Sequence, residues 1–179
     1  MQANEPQIIL ITGIMAAGKS SVAQALAERL PKSVHLRGDL FRRMIVNGGA
    51  KLDAEFTDDD YAQLRLRYEL AAQAAAGYAR VGFTVVYQDI ILGADLEAVA
   101  NRLKANHDLR VIVLCPTPDV VAEREAGRGK IGYGSWTPVA LDNALRKDTP
   151  RLGLWLDTST LTVAETIDTI LARLDEAAV

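Results

Sequence analysis

The stretch from Gln7 to Ser20 constrains the fold more than any other part of the chain. Gln7-Ile-Ile-Leu-Ile-Thr12 is a short apolar run of β-favouring residues, and Gly13-Ile-Met-Ala-Ala-Gly18-Lys19-Ser20 follows it without a break. The second piece fits G-x-x-x-x-G-K-[ST] in the setting that gives the pattern meaning, a strand leading in and a helix leading out. Glycines at both ends let backbone N–H groups converge on phosphate oxygens with no side chain in the way. The helix opening near Lys19 adds its unpaired N–H groups and the positive end of its dipole. The pattern therefore implies a triphosphate cradle made by Gly13, Ala16, Ala17, Gly18, Lys19, Ser20 and Ser21. Lys19 reaches for the β- and γ-phosphates, and the Ser20 hydroxyl is placed to ligate Mg²⁺.

The rest of the chain repeats the same alternation of apolar runs and helical patterns, the layout of an α/β fold with a parallel sheet covered on both faces. Strands are expected at Gln7 to Thr12, Ser33 to Arg37, Phe83 to Tyr87, Leu109 to Cys115 and Leu154 to Leu156. The first helix carries Val22, Leu26 and Leu30 on one face and stops at Pro31. A second starts at Gly38-Asp39 and carries Phe41 to Ile45 before Asn47-Gly48-Gly49, and Lys51 to Phe56 reads as loop. Thr57-Asp-Asp-Asp60 opens a long alanine-rich helix to about Arg80, with a capping hydroxyl and acids in its first turn. A further helix spans about Ala94 to Asn106, and Thr117-Pro118 and Thr137-Pro138 each pair a cap with a first-turn proline. Thr162 to Glu165 forms a capping box for a last helix expected to bury Val163, Ile167, Ile170, Leu171 and Leu174.

With 179 residues and no repeat, linker or low-complexity tract, residues 1–179 read as one domain. No apolar run approaches the ~20 residues of a membrane span. The start, Met-Gln-Ala-Asn-Glu-Pro, lacks the basic and apolar regions of a secretion signal, so a cytoplasmic protein is expected. The formal net charge of −3 argues against a broad nucleic-acid footprint but permits a local basic pocket for a small anion. The single cysteine, Cys115, ends an apolar run and reads as a buried small hydrophobe, and His35 and His107 lack metal-ligand spacing.

In open α/β sheets ligands bind beyond the carboxyl ends of the strands. The phosphate loop, Asp39, Asp89 and Asp157-Thr-Ser159 all fall at such ends. Asp39 is the candidate general base, since a kinase must align an acceptor hydroxyl with the γ-phosphate and take up its proton. The competing role is that of an N-cap for the helix it opens. Arg42, one turn further on, could hold a substrate anion or orient that carboxylate, whereas Arg43 reads equally as a solvated charge. Asp89 could hold Mg²⁺ or its water shell, or merely cap its strand. Gly127 to Trp136 holds four glycines and two cations. With Arg124, Arg128 and Lys130 this region, roughly residues 124–136, reads as a lid that brings positive charge to the transferring phosphoryl group. Tyr133 and Trp136 could stack on a ligand or anchor the loop, and a plain surface loop is the alternative for the segment.

On these residues the chain resembles the P-loop kinases of the nucleoside-monophosphate-kinase-like group, and in particular the branch containing chloramphenicol phosphotransferase, zeta toxins and the kinase domain of phage-type polynucleotide kinase. The resemblance spans nearly the whole chain and rests on Gly13 to Ser20, Gly38-Asp39 with Arg42, Asp89, the Arg124/Arg128 lid and Leu156-Asp-Thr-Ser159. It implies a three-layer fold with a five-stranded parallel sheet of order 2-3-1-4-5. It also implies ATP and Mg²⁺ as cofactors, Asp39 as base, Arg124 and Arg128 as clamps on the ATP phosphates, and Asp157 to Ser159 near the adenine or ribose. Asp39-Leu-Phe-Arg42 resembles the Asp-x-x-Arg signature of polynucleotide kinases, but the acidic chain lacks their basic tracts. The expectation is therefore an ATP-dependent phosphotransferase acting on a hydroxyl of a small molecule, an antibiotic or metabolite, as a monomer or homodimer. A polynucleotide 5′-hydroxyl kinase and a nucleotide-dependent switch protein are the competing readings.

Overall fold

In a computed structural model, which describes residues 6–50, 56–127 and 137–179, five parallel strands form one sheet: β1 (Gln7–Thr12), β2 (Ser33–Arg37), β3 (Thr84–Gln88), β4 (Asp108–Leu114) and β5 (Leu154–Leu156). Their order is β2-β3-β1-β4-β5, so β1 sits at the centre with Ile9 aligned to Val86 on one side and Arg110 on the other. All six residues of β1 are buried, which explains an apolar run without alternation. The helices are α1 (Lys19–Arg29), α2 (Asp39–Arg43), α3 (Asp58–Arg80), α4 (Ala94–Lys104), α5 (Pro118–Ala126), α6 (Pro138–Asn143) and α7 (Val163–Ala172). α1 packs with α7 and α3 with α4, covering the sheet with two helical layers.

The local causes are those written in the sequence. Thr57 and Thr162 both complete capping boxes, with Asp60 and Glu165 reaching back to the cap N–H. α3 turns Arg67, Tyr68, Ala71, Ala72, Ala75 and Ala79 inward, and the small side chains let this long helix lie close to its neighbours.

Departures from expectation are local. β3 runs one residue later, ending at Gln88, because Arg37 pairs with Gln88 on one side and Ile11 on the other. α2 stops at Arg43 rather than Ile45, and the apolar residues that follow it, Met44 and Val46, are exposed. After α6 the chain widens into a π-helical turn over Ala144–Asp148, with Thr149 Oγ1 donating to the Ala144 carbonyl. Val163, expected in the core, is 41% exposed at the start of α7, where it lines the cleft described below. Cys115 is buried as expected, and burial pushes its thiol pKa up. Two segments read from the sequence, the loop over residues 51–55 and the lid over residues 128–136, lie outside the described residues.

Candidate active site

A cleft of about 660 Å³ opens at the carboxyl ends of β1, β2 and β3 and is floored by the loop between β1 and α1. Gly13 has φ 144°, and a Cβ there would collide with the Leu114 carbonyl of β4, so neither the conformation nor the space admits another residue. Ala16, at φ 60°, takes the left-handed form that costs a non-glycine residue about 1–2 kcal/mol. Ala17 N–H closes a turn on the Ile14 carbonyl at 3.2 Å, and Gly18 begins α1 without a side-chain cap. The first N–H groups of α1 therefore face the cleft without a capping side chain over them. Lys19 is buried and donates Nζ to the Ile14 carbonyl at 2.7 Å, folding back over its own loop. Ser20 and Ser21 are exposed and line the cleft.

Arg124, in the last turn of α5, reaches this loop from the opposite wall. Its Nη2 donates to the Thr158 carbonyl at 2.8 Å, and Nη1 lies 3.9 Å from where a Gly18 Cβ would stand. Two cations, Lys19 and Arg124, thus bracket the cradle. Arg128, assigned with Arg124 as a phosphate clamp, lies outside the described residues together with Lys130, Tyr133 and Trp136. At the far end of β5, Asp157 Oδ1 accepts from Ser159 N–H at 2.9 Å and from its hydroxyl at 2.5 Å. These bonds pull the Asp157 pKa down, and Thr158 lines the cleft.

Asp39 stands on another wall of the same cleft, in the first turn of α2. It does not cap that helix; Gly38 occupies the cap position. Its Oδ2 forms an ion pair with Arg43 Nη2 at 2.6 Å, four residues on, and accepts from Arg37 Nη2 at 3.5 Å, the last residue of β2. Its Oδ1 is buried and has no hydrogen-bond partner among the described residues. One oxygen is held and the other is unpartnered.

Asp89 does not have that freedom. Arg67, reaching in from α3, donates Nε to Asp89 Oδ2 at 2.9 Å and pairs Nη2 with Oδ1, while Ile90 N–H donates to Oδ1 at 2.8 Å. Both partners are buried. The carboxylate that the sequence offered to Mg²⁺ is closed to direct metal contact in this geometry, because guanidinium and amide hydrogens cover both oxygens. It has a structural consequence instead. A Cβ on Gly38 would overlap the Asp89 carboxylate, so this glycine is what lets β2 turn into α2 directly over the Arg67–Asp89 pair.

Arg43, not Arg42, lies beside Asp39. Arg42 turns away from the cleft and donates Nη2 to the Ala50 carbonyl at 3.1 Å, beside a small apolar hollow between α2 and α3. Arg43 is the one on the Asp39 side. On a five-residue helix the four-residue spacing, not the three-residue one, returns to the carboxylate. Sequence reasoning also missed Arg37 and Arg67. A signal for Arg67 existed: it stands in register with Ala71, Ala75 and Ala79, so a charge interrupts the buried face of α3. Arg37 had no comparable mark.

A parallel sheet of order 2-3-1-4-5 with a phosphate-loop cradle between β1 and α1 defines the P-loop kinase class of fold. Residues 6–175 match the model of the chloramphenicol phosphotransferase-like protein family, and the chain belongs to that family. It is 28% identical to an adenylyl-sulfate kinase of Paraburkholderia xenovorans (strain LB400), over 97% of this chain and 96% of that one. Among solved structures it resembles the Deinococcus radiodurans tunicamycin resistance protein, with a TM-score of 0.71 and 22% identity over 97% and 98% of the two chains. It also resembles a Mycobacterium tuberculosis APS kinase solved with AMPPNP and APS, with a TM-score of 0.68 and 20% identity over 96% and 98%. These relatives are kinases and resistance proteins of one fold. No described helix is long and apolar enough to cross a membrane.

Proposed function

We propose that this protein transfers the γ-phosphate of ATP to a hydroxyl group of a small molecule, an antibiotic or a metabolite. The observation that carries the reading is the Asp39 carboxylate, which lines the same cleft as the phosphate loop, with Oδ2 beside two arginines and Oδ1 without a hydrogen-bond partner among the described residues. A plain nucleotide-binding protein has no use for an oriented carboxylate beside the cradle, whereas phosphoryl transfer needs one for the incoming alcohol. The amides of Gly13 to Ser21 receive the triphosphate, Lys19 leaves the Ile14 carbonyl for phosphate oxygens, and Arg124 with Arg128 neutralises charge spreading over the transferring group. The Ser20 hydroxyl, exposed at the start of α1, fits a Mg²⁺ ligand, with no described carboxylate cluster to complete a metal cage. When bound, Mg²⁺ neutralises the β- and γ-phosphates. The Asp39 carboxylate accepts the hydroxyl proton as the acceptor oxygen attacks in line.

The test is ADP release and labelled-phosphate transfer from γ-labelled ATP across hydroxylated metabolites, antibiotics and a 5′-hydroxyl oligonucleotide, with Lys19→Ala as the blank. Label on a small alcohol, absent from the blank, is the expected result. Label only on the oligonucleotide replaces this reading with an end kinase. ATP binding with no transfer to any acceptor reduces it to a nucleotide switch.

A further inference from the structure

The acceptor end of the cleft holds more positive charge than its own carboxylates answer. Arg67 and Asp89 neutralise one another in a buried pair. Arg37 and Arg43 instead share a single carboxylate, and they share one oxygen of it. Arg37 Nε is buried and has no acceptor among the described residues. The imbalance is local, because the chain as a whole is acidic, with a formal net charge of −3. Lys19 and Arg124 lie at the cradle and are taken up by the triphosphate in the reading above, so they do not answer it. A guanidinium donor left unmade in a partly buried site costs more than an exposed one, and an oxyanion of matched geometry satisfies it.

We propose that the acceptor is an oxyanion-bearing alcohol whose anionic group is received by Arg37 and Arg43 beside Asp39. This deepens the kinase reading and rests on it.

The experiment uses the full chain loaded with AMPPNP and Mg²⁺, titrated with sodium sulfate against sodium chloride of equal ionic strength and read by thermal shift and calorimetry. Sulfate is expected to give a saturable stabilisation that chloride does not. Arg37→Gln/Arg43→Gln should weaken sulfate about tenfold or more, the loss of at least one charge-assisted pair. Arg43→Gln alone, an exposed position, carries the test if the double variant folds poorly, and Arg42→Gln, which faces away, should keep the full response. Equal responses to sulfate and chloride, or sulfate binding that survives loss of Arg43 but not of Arg42, overturn the proposal. Matched alcohols then separate the sources: a carboxylate, a sulfate ester and a phosphate monoester, each beside its neutral counterpart. Preference for any anionic member supports the proposal and names the group; equal binding of the neutral members overturns it. No transfer is needed for these readings, so their failure leaves the kinase reading intact, and failure of transfer leaves them readable.

Discussion

One end of the cleft is lined by main-chain N–H groups and one lysine, all supplied by residues 13–21; the other is lined by Arg37, Asp39 and Arg43 from β2 and α2, with the Arg67–Asp89 pair beside them. The first end is continuous in sequence. Its geometry is set by backbone conformation, with Gly13 pressed against β4 and Ala16 held left-handed. The second is assembled from side chains on three elements, with a buried ion pair beneath it. A site made of backbone is fixed by a short pattern and tolerates little change within it; a site made of side chains can be retuned for new acceptors without touching the cradle.

The largest expected effect separates the two ends by function. Asp39→Asn keeps the shape and removes the proton acceptor, and should lower kcat by about 10²- to 10⁴-fold while ATP affinity stays within about twofold. Lys19→Ala should weaken both transfer and nucleotide binding. Turnover of Asp39→Asn equal to wild type in a coupled ADP assay would move the base elsewhere and erase the distinction.

Next in size is the support under the acceptor end. Arg67→Leu leaves the Asp89 carboxylate buried without its guanidinium and should cost about 3–5 kcal/mol in urea unfolding. Arg67→Leu/Asp89→Leu should recover much of that stability, since a buried pair replaced by apolar groups is often neutral, but not the transfer rate. AMPPNP affinity should change little in either variant that folds. If both variants transfer phosphate normally, the pair holds the fold without placing Asp39.

A smaller effect belongs to the helix that delivers Arg67. Thr57→Ala removes the side-chain half of the capping box at the start of α3, the hydroxyl that accepts from Asp60 N–H, and should cost about 1 kcal/mol. The urea midpoint should fall with no change in its slope, and a null effect would mean that packing alone holds this helix start.

How much of this was legible follows the same division. The strands and the cradle were readable because β1, the glycines and the α1 start are adjacent in sequence and each obeys a local rule, whereas the strand order, which no local rule sets, came with the family resemblance. Asp39 was readable as a strand-end acid. Its partners were not: a one-turn argument favoured Arg42, and only the short α2, ending at Arg43, decides that Arg43 returns to the carboxylate. Asp89 was read as a holder of Mg²⁺ or its water shell, or as a cap of its strand, and neither reading included its arginine, because nothing at the end of β3 reveals one arriving from α3, twenty-two residues earlier. Val163 obeys helix periodicity, yet it is exposed because the first turn of α7 borders the cleft rather than the core.

The smallest effect reads the charge of the acceptor end directly. His35 lies on β2 two residues before Arg37, with Nδ1 2.8 Å from Gln24 Oε1. Burial and then the Arg37 charge disfavour its imidazolium and hold its pKa below the ordinary 6.5, against a smaller pull from Asp39. The folded state therefore binds fewer protons than the unfolded chain as pH falls through 6.5, and stability declines across the window from about 6.5 down to the lowered pKa. His35→Gln should remove that part of the acid slope between pH 7.5 and 5.5. Arg37→Gln should raise the His35 pKa, and Lys19→Ala should leave it alone, because the charges that act on His35 are those of the acceptor end. A titration of the His35 ring by NMR that returns 6.5 or higher in the wild-type chain, or that moves with Lys19 rather than Arg37, would show that the two ends share one electrostatic environment after all.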